Sequence, residues 1–112
     1  MHLIDTVRIR NERNVYADGS SFVVAHIDSK GNEHHSRIPS AAVDKIYDLC
    51  TGQTITMEEA GARIEPFARK MGLPYHYGWR LNFYTLEILV VLVAIGKADL
   101  WKEGRGFKFQ VT

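Results

Sequence analysis

The sequence predicts an α+β fold: an N-terminal antiparallel β-meander followed by three helices and a C-terminal β-hairpin. Three observations carry that prediction. Residues 1 to 39 alternate and turn, as the strands of a meander do. Residues 40 to 96 repeat apolar side chains at helical spacing. After Gly96, the segment Lys97 to Thr112 is amphipathic about a Glu103-Gly104-Arg105-Gly106 tip, which reads as a tight hairpin. A chain of 112 residues suits one domain, with 1–39 as the meander and 40–112 as the helical part with its hairpin.

The meander is read as two or three strands. Thr6 to Arg10 alternates, and Asp18-Gly19 signals a turn. Phe22 to Asp28 and Asn32 to Ile38 then flank Ser29-Lys30-Gly31, a short glycine-bearing loop. Pro39-Ser40 opens the first helix, with Ser40 as its expected N-cap. Val43, Ile46, Tyr47 and Cys50 form its apolar face, and Gly52 ends it.

Thr56-Met57-Glu58-Glu59 has the capping-box order, so the second helix starts near Met57. Ala60, Ile64, Phe67 and Met71 give it one stripe. Pro66 should kink or divide it, because proline lacks an amide donor and disfavours helical geometry at Glu65. Gly72-Leu73-Pro74 stops it. The third helix begins between Gly78 and Asn82 and runs to Gly96. Its second half is apolar all round, so it needs cover on more than one side. A twofold dimer interface at Ile88, Val91, Leu92 and Ile95 is the expected second cover.

Composition narrows the classes. The chain is 46% hydrophobic and 24% charged, which is ordinary globular material. A net charge of +1 excludes a strongly basic nucleic-acid coat and leaves room for a local basic patch. The uncharged stretch from Ile88 to Gly96 is far shorter than the ~20 apolar residues that span a bilayer. No basic segment followed by an apolar stretch and a cleavage site opens the chain. A lone cysteine makes no internal disulfide, so a cytoplasmic protein is expected.

From Ser40 onward the order of elements resembles the winged helix-turn-helix superfamily. A first helix is followed by a strand-like Gln53 to Thr56, a second helix, a third helix and a hairpin wing. Leu92-Val93-Ala94-Ile95-Gly96-Lys97-Ala98-Asp99-Leu100, followed by Gly104-Arg105-Gly106, is the stretch that carries the likeness. The resemblance implies that the start of the third helix enters the major groove of double-stranded DNA. Arg80, Asn82, Tyr84 and Thr85 would then face bases or phosphates, and Lys102, Arg105 and Lys108 on the wing would meet the backbone. A regulatory or accessory DNA-binding role follows.

Other groupings carry less chemistry. A three-residue loop at Ser29 to Gly31 places His26 opposite His34, whereas a two-residue turn places it opposite His35. Either register sets two imidazoles roughly 5 Å apart at Cβ. Such a pair titrates near a pH of ~6.5, but no third ligand at metal-site spacing accompanies it, so no metal or cofactor is expected. Cys50 lies at a helix C-terminus, which disfavours a thiolate nucleophile. No acid pair or Ser/His/Asp order appears, so no catalytic residues are assigned and the chain is expected not to be an enzyme. Tyr75, His76, Tyr77 and Trp79 crowd one connection, and their rings suit a partner or small ligand. The competing reading is therefore a non-catalytic dimeric interaction module that uses this aromatic loop.

Overall fold

The computed structural model describes residues 1–73 and 79–112, with the side chains of 79 and 80 left out. Four strands open the chain: β1 (His2–Ile9), β2 (Asn11–Asp18), β3 (Ser21–Ile27) and β4 (Glu33–Pro39). They pair antiparallel in the order β1-β2-β3-β4. The meander thus has one strand more than the sequence suggested. The extra strand pair is hidden because its turn consists of Arg10, a residue with no turn signature that nonetheless adopts φ 62°. The β3–β4 loop has the three-residue register, with His26 opposite His34 and Ile27 opposite Glu33.

Helix α1 (Ser40–Cys50) follows β4 without a linker. Pro39, not Ser40, is its N-cap, and no side chain caps it; the Ser40 amide instead donates to the Ser20 carbonyl across the meander. Strand β5 (Thr54–Ile55) leads to α2 (Met57–Ala68). The capping box forms as expected: the Glu59 amide donates to Thr56 Oγ1, and the Thr56 amide donates to Glu59 Oε1. Pro66 lies inside α2 without dividing it, and the helix ends two residues later. Proline near a C-terminus forfeits only one amide bond, which the buried stripe Ala60, Gly61, Ile64 and Ala68 offsets.

Helix α3 (Trp79–Ala94) is the axis of the molecule, followed by β6 (Ala98–Glu103) and β7 (Gly106–Val111). The last two strands form the expected hairpin, and β5 joins them in the order β5-β7-β6. α3 packs on α1 and α2 along one side and across all four meander strands along the other. That arrangement explains its apolar circumference. Ile88, Val91 and Leu92 are fully buried within a single chain, and Ile95 is half-buried. The second cover expected from another subunit is supplied by the meander, whose inward residues Val7, Ile9, Val15, Val24 and Ile38 join the same core. No helix among the described residues is long and apolar enough to cross a membrane.

Candidate functional site

The exposed start expected of α3 is largely occupied. Thr85 is fully buried, so it cannot face a base in this fold. Asn82 is half-buried against α2, where its Oδ1 lies 2.7 Å from the point a Cβ on Gly61 would take. A glycine is therefore what lets α2 and α3 approach there. The Tyr84 hydroxyl donates to the Arg37 carbonyl of β4, and burial pushes the phenol up from its ordinary value. Arg80 carries no described side chain. Tyr75, His76 and Tyr77 lie outside the described residues, as does the side chain of Trp79, the first residue of α3.

A buried ion pair joins α3 to the meander. Arg13 Nη1 lies 2.5 Å from Glu87 Oε1, with side-chain exposures of 5% and 0%. The same nitrogen lies 3.2 Å from His26 Nδ1. Arginine has only donors, so Nδ1 must accept, and the neutral His26 ring carries its proton on Nε2. His26 stacks on His34 with centroids 5.1 Å apart, and His34 Nε2 sits 2.7 Å from Asp28 Oδ2. A polar line thus runs inward from the β3–β4 loop to α3: Asp28, His34, His26, Arg13, Glu87.

Burial dominates the inner end. It pushes the Glu87 carboxyl up to about 7, against the opposing pull of the Arg13 guanidinium. Glu87 Oε2 and Arg13 Nε have no hydrogen-bond partner among the described residues, so the charged forms are incompletely compensated. His26 is held below the usual imidazole range by burial first, then by Arg13 and His34. At the exposed end, hydrogen bonds from His34 and the Asn32 and Lys30 amides hold Asp28 down at about 2.

These shifts have opposite consequences. A raised carboxyl favours the folded state while protonated; that contribution is full below the ordinary 4.5 and is lost as pH rises through about 7. A depressed imidazole contributes above its ordinary 6.5 and loses that contribution as pH falls. Urea unfolding of the wild type should therefore show a Glu87-linked loss of up to about 3 kcal/mol on raising pH from about 5 to about 8. Glu87→Gln should remove that slope, leaving the falls in acid linked to His26 and to depressed carboxyls such as Asp28. An unchanged slope in the variant would mean that another group titrates.

The C-terminal hairpin presents a different surface. Its inward face holds Leu100 and Phe109 as a cross-strand pair, with Phe109 fully buried. Trp101 and Lys108 pair on the outward face, where Trp101 is 40% exposed. Lys102 and Arg105 are exposed toward the tip and Lys108 is half-buried. None of these three cations has an ion pair among the described residues, whereas several cations elsewhere are engaged. Arg8 pairs with Glu12, Arg37 with Asp18, Lys45 lies over Phe67 and Lys97 over Tyr47. Asp99 and Glu103 share the outward face, so the hairpin's excess of positive charge is small.

The remaining sequence candidates are plain. Cys50 is buried and free, and burial pushes its thiol up, as suits a packing role. No group of three or more His, Cys, Asp or Glu with metal-holding geometry occurs among the described residues. Sequence reasoning missed Arg13 and Glu87, whose partnership spans 74 residues. It also missed an open groove of about 590 Å³ on the meander, lined by Tyr16, Ala25, Ile27 and His35 among others. No family model, curated protein or solved structure matches the chain.

Proposed function

We propose that this chain is a small double-stranded-DNA-binding protein, in a regulatory or accessory role, that grips the phosphate backbone with its C-terminal hairpin. The observation that carries the reading is the set Lys102, Arg105 and Lys108: hairpin cations without ion pairs among the described residues, beside an exposed Trp101. The order α1, β5, α2, α3, β6, β7, with β5-β7-β6 pairing, supports it as the order of a winged helix. Because α3 is packed against the meander, base reading from that helix is not part of the proposal. Binding is expected to be tolerant of sequence, since phosphate contacts position a protein without reading bases.

The test is titration of a short labelled duplex by fluorescence anisotropy at two salt concentrations. Three phosphate contacts predict a roughly 40-fold loss of affinity on raising salt from about 50 to about 200 mM. Absence of binding, or binding indifferent to salt, defeats the proposal. A second reading, an interaction module, is favoured by the meander groove, beside which Ile27 and Met1 expose large apolar surface. In that case replacing the three hairpin cations by Ala leaves partner binding intact.

A further inference from the structure

We propose that Arg10, at the β1–β2 turn, is an additional backbone-contacting residue that the meander sets beside the hairpin. This inference rests on the reading of the hairpin as a DNA-binding element.

Position comes first. Arg10 shares a small cleft of about 80 Å³ with Gly106, Phe107 and Phe109 of the hairpin and with Thr56, Met57 and Glu58 at the start of α2. Lys102 is the cross-strand partner of Phe107, so its side chain leaves the hairpin on the face that borders this cleft. Arg105 is at the adjoining tip. Two distant segments therefore bring Arg10, Lys102 and Arg105 to one edge of the molecule, with Glu58 as the opposing carboxylate in the cleft.

Chemistry comes second. Arg10 is exposed, and its side chain has no hydrogen bond or ion pair among the described residues. Its backbone adopts φ 62°, a region that glycine occupies freely and a long side chain occupies under strain. The turn itself would be better served by glycine. What arginine adds there is a planar cation whose donor fork matches phosphate oxygens. The β1–β2 pairing runs to Ile9 and Asn11 on either side, which fixes where that cation emerges.

Arg10→Gly separates charge from fold, because glycine relieves the turn while removing the guanidinium. The expected result in the anisotropy titration is weaker duplex binding, with a loss about 3.5-fold larger at about 50 mM salt than at about 200 mM. Its melting temperature should equal or exceed that of the wild type. Arg10→Lys should bind within about twofold of the wild type, since a point charge suffices for most of the backbone attraction. If Arg10→Gly binds like the wild type while Lys102→Ala/Arg105→Ala/Lys108→Ala loses binding, the inference about Arg10 is overturned and the hairpin reading stands. If the wild type binds no duplex, both fall.

Discussion

Replacing Glu87 by Leu is expected to destabilise the protein by about 3–5 kcal/mol near neutral pH, measured by urea unfolding. The change leaves the Arg13 guanidinium buried beside the core with no counter-charge, and arginine does not shed its proton in a folded protein. Replacing Arg13 by Met should cost less, and least in acid. Its abandoned partner can take up a proton, and burial already holds that carboxyl at about 7. The double replacement should recover most of the loss, because a buried pair exchanged for well-packed apolar side chains is commonly neutral or stabilising. Additive losses in the double variant would contradict a direct pair. The pair's role is better described as alignment than as stability: with the Tyr84–Arg37 hydrogen bond, it fixes how the meander crosses α3 in a largely apolar interface.

Lys102→Ala/Arg105→Ala/Lys108→Ala is expected to lose most duplex affinity at low salt and most of its salt dependence, keeping the roughly 3.5-fold share of Arg10. Three lost phosphate contacts predict a deficit roughly 40-fold larger at about 50 mM than at about 200 mM salt. Stability should change by no more than about 1 kcal/mol, as Lys102 and Arg105 are exposed and only Lys108, half-buried beside Trp101, has packing to lose. Asn82→Ala serves as the contrast. Asn82 faces Gly61 in the α2–α3 crossing, so its replacement should alter packing and leave duplex affinity within error. A variant lacking the three cations that still binds like the wild type would remove the hairpin from the interface.

Much of the fold was legible because its signals are local. The Thr56 to Glu59 capping box, the Ser29-Lys30-Gly31 loop and the Gly104-bearing hairpin each depend on residues within a few positions of one another, and each forms. What failed to show was long-range. Asn11-Glu12-Arg13-Asn14 is a wholly polar run with no inward-facing signal, yet Arg13 points inward to Glu87 on α3. The β1–β2 turn was invisible because its left-handed residue is Arg10 and carries no glycine or asparagine signal. Periodicity established that α3 needed two covers, but periodicity does not say which chain supplies the second. The meander does, which moves Ile88, Val91 and Leu92 from an expected interface into the core. The hairpin cations were legible as candidates; their freedom from ion pairs, and the nearness of Arg10, required the packed structure.

On the proposed function, the hairpin meets DNA while α3 stays sealed beneath the meander. Amide chemical-shift mapping on adding a short duplex tests it most directly. Perturbations are expected to concentrate on residues 98–111 and at Arg10, with the amides of 82–93 and their meander partners unmoved. Largest shifts along α3, accompanied by loss of protection in β1 to β4, would contradict it.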